Sequence, residues 1–253
     1  MSLEITPRKT ALFLTAIACL LVLAHAAMMF SLWILDHGNL FGLVNMFSLD
    51  KEANVPTLYA SATLILCSLL LLLIAFSHYQ MQKPYVWHWL GLAALFGFLA
   101  MDETARIHEL LIGPVNVLFN KTSGYYSWLI PYSIILTLIS LAYVQFFFRL
   151  PLRTRLRFFL AGSIFMLGVV AMEIISEGYF EYVGEDLLYV FFFSVEEILE
   201  MTGIILFVHA LVSYFSEELN GIQIAVPSTS PIPVQKPASV LNNTQVEAIT
   251  TPT

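Results

Sequence analysis

The sequence predicts an all-α integral membrane protein, built as a bundle of about six transmembrane helices. Of its 253 residues, 58% are hydrophobic and only 11% are charged, against roughly 25% charged residues in an ordinary soluble domain. The mean hydropathy of +0.80 is an average that includes a polar C-terminal stretch. The rest of the chain is therefore more apolar still, and lipid is the solvent that suits it.

Six apolar runs approach the length of about 20 residues that a helix needs to cross roughly 30 Å of hydrocarbon. They are residues 11–35, 56–76, 85–101, 128–148, 158–172 and 187–215. Acidic residues interrupt the ends of the third and fifth runs, and we expect helix to continue there to Ile112 and Ser176. Gly113-Pro114 is predicted to stop the third helix, and Gly178 and Gly184 to break the chain before the sixth.

The first run has a second interpretation. Arg8-Lys9, a short apolar stretch and Ala24-His25-Ala26 together resemble a signal peptide with a cleavage site of small residues. The apolar run nevertheless continues to Leu35, which is long enough to span, so we expect it to be retained as a helix. His25, in the middle of this run, is expected to be a hydrogen-bonded interior histidine rather than a ligand.

Two segments are predicted: a six-helix transmembrane domain, 1–220, and a disordered polar tail, 221–253, rich in Ser, Thr, Pro and Asn. The basic residues indicate that both termini are cytoplasmic. With the N-terminus inside, the inner side carries eight of the eleven: Arg8, Lys9, Lys83, Arg149, Arg153, Arg155, Arg157 and Lys236. The predicted location is the inner membrane of a bacterium.

The formal net charge of −7 argues against a nucleic-acid partner, because binding phosphate needs basic patches. Cys19 and Cys67 both fall in apolar runs, so neither a disulfide framework nor a cysteine metal site is expected. The sequence contains no P-loop, dinucleotide fingerprint, nucleophile elbow or His-Glu-x-x-His motif. It resembles no family that its motifs would identify.

The distribution of the carboxylates is the one strong anomaly. Fourteen of the 18 Asp and Glu residues fall at or within the predicted outer half. Glu196, Glu197 and Glu200 lie about 13 to 20 Å along the sixth helix, counted at 1.5 Å per residue. Each charge at such depth costs on the order of 2.5 to 3.5 kcal/mol. Their shared arc is therefore predicted to face protein or a water-filled cavity.

The third and fifth helices add polar residues at a similar depth. The third carries Asp102, Glu103, Arg106, His108 and Glu109. On a continuous helix Arg106 can pair with Asp102 one turn away, or with Glu103 or Glu109 three residues away, whereas His108 lies on the opposite flank from Glu103. The fifth contributes Glu173. We therefore expect carboxylates of three helices to meet near the outer surface.

Facing carboxylates with a nearby histidine are how helical bundles hold hard or borderline metal ions. The first hypothesis is a metal-dependent membrane enzyme that activates water against a lipid-like substrate. Its candidate ligands for a divalent metal ion are Asp102, Glu103, His108, Glu109, Glu173, Glu196, Glu197 and Glu200. Its candidate catalytic residues are Glu196, Glu200, Glu173 and Arg106.

Two alternatives use the same residues. Buried acids can load and release protons or cations, as in a coupled transporter or channel. They can also serve as polar contacts between helices in a structural or assembly protein. The partners expected are the bilayer and either a lipid-like molecule or cations, and the oligomeric state stays open.

Overall fold

The computed structural model describes residues 6–35, 40–51, 53–119 and 125–219, and all regular structure within these ranges is helical. The long helices are α1 (Pro7–Trp33), α3 (Val55–Gln80), α4 (Val86–Ala105), α6 (Leu129–Arg149), α7 (Leu152–Met166) and α9 (Leu187–Glu218). A π-helical segment, Leu167–Met172, joins α7 to α8 (Glu173–Val183) without a break. Two short helices, α2 (Leu43–Phe47) and α5 (Ile112–Leu118), lie in the connections.

Five helices are long and apolar enough to cross a membrane. They are Pro7–Trp33, Val55–Gln80, Leu129–Arg149, Leu152–Val183 and Leu187–Glu218. The third predicted span corresponds to α4, a helix of 20 residues that is not one of the five. Polar residues at both of its ends, including His88 and Asp102, lower its mean hydropathy.

Neighbouring long helices run antiparallel. Ser61 and Ser68 of α3 donate hydrogen bonds to the carbonyls of Ala100 and Ala93 of α4, at 2.9 and 2.7 Å, so the residue numbers descend on one helix as they rise on the other. The helices therefore alternate between two ends of the bundle. We call the end where α4 and α8 finish the acidic end, and the end that carries Lys83 and Arg149–Arg157 the basic end.

Helix α9 lies at the centre of this arrangement and packs against α1, α3, α7 and α8. At the basic end, Arg157 of α7 forms an ion pair with Glu217 of α9, with an N to O distance of 2.9 Å. In α3, His78 accepts a hydrogen bond at 2.9 Å from the Tyr214 hydroxyl, and its other ring nitrogen donates to the Pro84 carbonyl. These contacts hold the basic ends of α3, α7 and α9 together.

The expectation for His25 is confirmed. Its Nδ1 accepts a hydrogen bond from the Leu49 backbone N–H at 3.2 Å, so Nε2 carries the proton and donates to Ser194 Oγ, also at 3.2 Å. The ring is buried and stands edge-on to Phe193. This histidine therefore joins α1 to α9 and to the segment before α3.

Two polar side chains cap the N-termini of helices at the acidic end. Asn54 accepts a hydrogen bond from the Thr57 N–H at the start of α3. Asp186 accepts from the N–H groups of Leu188 and Tyr189, both at 2.9 Å, at the start of α9. The Tyr189 N–H and the Tyr179 hydroxyl hold the pKa of Asp186 below its usual range. Both residues act as N-caps, which satisfy the unpaired donors of a first helical turn.

The chain departs from prediction at three points. Helix α4 ends at Ala105 instead of Ile112, because Arg106 adopts a left-handed conformation with φ of 55°. Gly113-Pro114 therefore does not end that helix and lies inside α5. Gly178 is an interior residue of α8, whereas Gly184, with φ of +93°, does end α8 as predicted.

Large apolar side chains cover much of the outside of the helices, including Phe13 and Leu20 on α1 and Leu138 and Leu141 on α6. Contiguous apolar surface on this scale is rare on a soluble monomer and is compatible with contact to a lipid bilayer. The predicted tail, 221–253, lies outside the described residues, as do Asp36 and Glu52.

Candidate functional site

The acidic end of the bundle contains an open cavity of about 450 Å³. Seven of the metal-ligand candidates line it: Asp102, Glu103, His108, Glu173, Glu196, Glu197 and Glu200. The remaining wall is mostly apolar and comes from α3, α4, α6 and α7, with residues such as Leu64, Phe98, Ile139 and Phe165. One cavity thus combines a cluster of carboxylates with a surface that suits a hydrocarbon chain.

Asp102 is held by a turn that the sequence did not predict. Because Arg106 reverses the chain after α4, the His108 backbone N–H donates to Asp102 Oδ1 at 2.7 Å. The His108 ring nitrogen Nδ1 lies 3.3 Å from the same oxygen. The Tyr132 hydroxyl of α6 donates to Oδ2 at 3.1 Å. Both carboxylate oxygens are therefore engaged, although this aspartate is buried.

Glu173 and Glu196 form the second part of the acidic wall. Trp128 Nε1 donates to Glu173 Oε1 at 2.9 Å, and Ser176 Oγ donates to Glu196 Oε2 at 2.6 Å. The two carboxyl groups are close enough to interact directly. Glu196 is buried, with 8% of its surface exposed, so its position is fixed by α8 rather than by solvent.

Glu200 lies one turn further from the acidic end than Glu196. The acidic groups that act on it electrostatically include Glu197, Glu103 and Glu173. Opposite it, the π-helical segment brings Gly168 so close that a Cβ atom there would lie 2.7 Å from Glu200 Cγ and 3.0 Å from the Glu196 carbonyl oxygen. π-Helical turns are rare and are frequent at functional sites, and this one forms the wall facing the deepest carboxylate.

Two predicted residues do not line the cavity. Arg106 and Glu109 form an ion pair with each other on the turn after α4. This pairing is one of the three that helical spacing offers Arg106, and it is confirmed. The carboxylate of Asp102, another predicted partner, accepts from His108 and Tyr132. Arg106 was predicted from the sequence to be a catalytic residue, but it is not among the residues that line the acidic cavity.

Sequence reasoning did not identify Tyr132 and Trp128 as residues of the site. Trp128 is buried and lines the cavity beside His108, with ring centroids 4.8 Å apart. Tyr132 lies one turn further along the same helix, and nothing in an apolar run marks it as a partner of Asp102. Within the described part of the chain, Lys51 is the one Lys or Arg side chain that lines the cavity, and sequence reasoning did not single it out.

A smaller cavity of about 180 Å³ adjoins the same region. Lys51 lines both cavities, and its Nζ donates to Asn45 Oδ1 at 3.0 Å. Nearby, the Tyr189 hydroxyl donates to Asp50 at 2.7 Å and lies 3.4 Å from Glu177. The acidic character of this end thus extends beyond the main cavity.

Toward the basic end, three aromatic rings close the bundle beneath the cavity. Phe96 of α4 and Phe207 of α9 stack with centroids 4.6 Å apart, and Phe158 of α7 packs on Phe207 at 4.8 Å. Phe158 and Phe207 lie on the basic side of the cavity residues of their own helices, and Phe96 lies between the cavity residues Leu95 and Phe98. The cavity therefore has an apolar floor.

Carboxylate oxygens and imidazole nitrogen are ligands for hard and borderline divalent cations, and Asp102, His108, Glu173, Glu196 and Glu200 supply both kinds. Within the described ranges, no group of three or more His, Cys, Asp or Glu side chains is arranged closely enough to hold a metal ion. Several of these side chains instead bond to one another or to Ser176, Trp128 and Tyr132.

Fold and site together define a class: an all-helical protein with apolar helices of membrane-spanning length and an acidic cavity at one end. Within that class the chain belongs to the family described as Domain of unknown function (DUF8692), whose profile matches residues 11–215. The match covers every helix that contributes to the cavity. No curated protein and no solved structure matches the chain significantly.

Proposed function

We propose that the protein is a membrane-embedded enzyme that acts on a lipid-like substrate with the help of a divalent metal ion. The observation that supports this most directly is the shared cavity, in which six carboxylates and His108 line the same space as a largely apolar wall. Binding sites for small molecules are commonly concave, mostly apolar and equipped with a few convergent polar groups. This cavity has that composition.

The metal is proposed because of charge. Among the described residues, six carboxylates and one Lys or Arg side chain, Lys51, line the cavity, and such an excess of acidic groups is costly inside a membrane protein. Divalent cations would offset the carboxylates and supply a Lewis acid that activates water. Glu173, Glu196 and Glu200 are the proposed ligands and activating residues. Arg106 is left out of the proposed reaction site, because it does not line the cavity.

Transport is the weaker alternative. A conduction path needs polar groups or water on both sides of the acidic cluster, whereas Phe96, Phe158 and Phe207 pack beneath it. A purely structural role is also less favoured, since packing contacts alone do not need an open cavity of about 450 Å³ between the helices. An enzyme accounts for both the cluster of carboxylates and the open cavity that contains it.

We further propose that α4 crosses the membrane as well, giving six spans with both termini cytoplasmic. Its support is the pairing with α3, which extends from Ser61–Ala100 to Ser68–Ala93. A helix that accompanies a spanning helix along its length traverses the same depth. Placement in the inner membrane of a bacterium stays a prediction from the sequence.

The test of metal dependence is elemental analysis of detergent-purified protein, stripped with a chelator and reloaded with Mn²⁺, Mg²⁺ or Zn²⁺. We expect stoichiometric retention of one of these metals. Glu200→Gln should weaken that metal's affinity by about tenfold or more, as loss of supporting groups at metal sites does. Glu218→Gln is the matched control: it makes the same change in the same helix, at an exposed position outside the cavity.

Retention of no metal, or equal affinity in the Glu200→Gln and wild-type proteins, would refute the metal hypothesis. Activity on lipid is tested separately, by mass spectrometry of lipid extracts from membranes incubated with the metal-loaded protein. A lipid whose amount changes with wild type and with Glu218→Gln, but not with Glu200→Gln, identifies the substrate. No change in any lipid would count against an enzymatic role.

A further inference from the structure

We propose that the apolar part of the cavity is a binding site for a single hydrocarbon chain of a membrane lipid, which enters sideways from the bilayer between α4 and α6. This inference rests on the proposed function, because the chain would belong to the lipid-like substrate. It adds the route of entry, the direction in which the chain lies and the residues that limit its length.

The entrance follows from the way α6 is attached. Tyr132 donates to Asp102 near the acidic end of α4, and Tyr143 donates to the His88 carbonyl near its basic end, at 3.0 Å. A Cβ atom on Gly91 would lie only 2.1 Å from the Tyr143 hydroxyl oxygen, so the second attachment is tight. Eleven residues of helix separate the two tyrosines, which is roughly 16 Å.

Most of the wall that α6 contributes to the cavity lies between these two attachments. The residues that α6 contributes to its wall all precede Tyr143: Leu129, Tyr132, Ser133, Ile135, Leu136 and Ile139. Ile135 and Leu136 line the cavity and are also 52% and 39% exposed, and Phe98 of α4 is 37% exposed. The cavity is open, and α6 is mostly exposed along its length. The mouth of the cavity therefore lies at these three apolar side chains.

The direction of the chain follows from the polarity of the two ends. The carboxylates and His108 lie at the acidic end, where a polar head group finds hydrogen-bonding partners. Ile139, Leu95 and Phe165 are the cavity residues of their helices nearest the basic end, at about the level of the packed rings of Phe96 and Phe207. A chain that enters between α4 and α6 therefore ends against an apolar floor, and this floor sets the length that fits.

The inference is tested with hexadecanol that carries a photoreactive diazirine near its terminal carbon, in phosphatidylcholine nanodiscs containing a metal chelator. After irradiation, labelled positions are mapped by mass spectrometry. We expect label on floor residues such as Ile139 and Phe165, reduced by excess unlabelled hexadecanol. Hexadecanol with the diazirine beside its hydroxyl group should instead label Trp128 and the segment around His108.

Ile139→Trp and Leu138→Trp form a matched pair on α6. Ile139 lines the cavity, whereas Leu138 is 62% exposed and is not part of its wall. Ile139→Trp fills the floor and should lower labelling by hexadecanol at least about tenfold, as expected when two or more methylenes leave an apolar site. It should leave labelling by a diazirine octanol nearly unchanged, and Leu138→Trp should affect neither probe.

Label confined to lipid-facing positions such as Leu138 and Leu141, or equal labelling of Ile139→Trp and wild type by hexadecanol, would overturn the inference. A general folding defect in Ile139→Trp would lower labelling by both chain lengths and is thereby recognised. The labelling experiment contains a chelator, so its result does not depend on bound metal. Labelling of the floor by a protein that retains no metal in the elemental analysis would refute only the metal hypothesis. Metal retention without floor labelling would refute only the chain site.

Discussion

The position of Asp102 illustrates how a buried carboxylate is maintained inside an apolar bundle. It receives the His108 backbone N–H and the Tyr132 hydroxyl, so each oxygen has a donor that compensates for the loss of water. Groups satisfied in this way contribute modestly to stability but cost more when one partner is removed. The cost of removing one partner can be measured with substitutions that change only one or two atoms of Asp102 or Tyr132.

We expect Asp102→Asn to lower the free energy of unfolding by about 1 to 3 kcal/mol, because an amide cannot accept on both sides and turns a donor toward His108 or Tyr132. Tyr132→Phe should cost about 0.5 to 1.5 kcal/mol. Tyr182→Phe, at a side chain that is 89% exposed, is the control and should cost almost nothing. Denaturant unfolding in detergent measures all three.

The double variant adds a check on the mechanism. If the two groups act on one another, Asp102→Asn with Tyr132→Phe should cost less than the two single effects together, since residues in one network are not additive. Additive losses would mean that Tyr132 stabilises α6 by other contacts. An Asp102→Asn protein as stable as wild type would contradict the description of this site.

At the residue scale, the sequence predicted part of the site. Counting helix turns from the start of the last apolar run placed Glu196, Glu197 and Glu200 below the surface, and all three line the cavity. The same counting misplaced His108, because it assumed a continuous helix through Arg106. An arginine in a left-handed conformation is locally unfavourable, so only tertiary contacts fix it, and a single sequence does not reveal them.

At the element scale, close approach between α7 and α9 positions the acidic wall. A Cβ atom on Gly203 would lie 2.7 Å from the Phe165 backbone nitrogen and 2.8 Å from its Cα. Backbone atoms cannot turn aside as the end of a flexible side chain can. The two helices can therefore approach this closely only because position 203 has no side chain.

We expect Gly203→Ala to destabilise the protein by about 1 to 3 kcal/mol, the usual cost of forcing extra volume into a packed contact. Gly162→Ala is the matched control, since a Cβ there meets nothing within 4 Å. It should be neutral or stabilising by up to about 1 kcal/mol, because alanine is the better helix former. Thermal unfolding in detergent distinguishes the two, and equal stability of both variants would show that the helices separate at no cost.

The positions of the long helices were predicted better than their ends. Each apolar run corresponds to a long helix, the structure that satisfies every backbone hydrogen bond within one segment, as a membrane span requires. The ends were less well predicted: α4 stops at Ala105, and Gly178 lies within a helix. No motif in the sequence predicted the π-helical segment at Leu167–Met172, where Gly168 lies against Glu196 and Glu200.

At the scale of the whole molecule, the two ends of the bundle differ in charge. Arg149, Arg153, Arg155 and Arg157 gather at one end, where Arg157 pairs with Glu217. The cavity and its carboxylates occupy the other. In membrane proteins, basic residues favour the cytoplasmic side whereas acidic residues contribute little to orientation. The charge distribution therefore predicts that the cavity mouth lies in the outer leaflet.

This topology is tested with single cysteines in a protein lacking Cys19 and Cys67, using a membrane-impermeant maleimide on vesicles of known sidedness. Met81 precedes α4 and Leu118 follows it, and both side chains are exposed. If α4 spans, Met81→Cys and Leu118→Cys react from opposite sides. Arg155→Cys should react from the same side as Met81→Cys, and Tyr182→Cys from the same side as Leu118→Cys.

The four positions test the number of spans independently of the orientation of the bundle. Reaction of Met81→Cys and Leu118→Cys from the same side would show that α4 does not cross, leaving the five spans that length and hydropathy support. If all four patterns are inverted, six spans stand but the termini are outside, and the cavity opens toward the cytoplasmic leaflet. That result would redirect the search for a substrate to lipids of the inner leaflet, without changing the geometry of the chain site between α4 and α6.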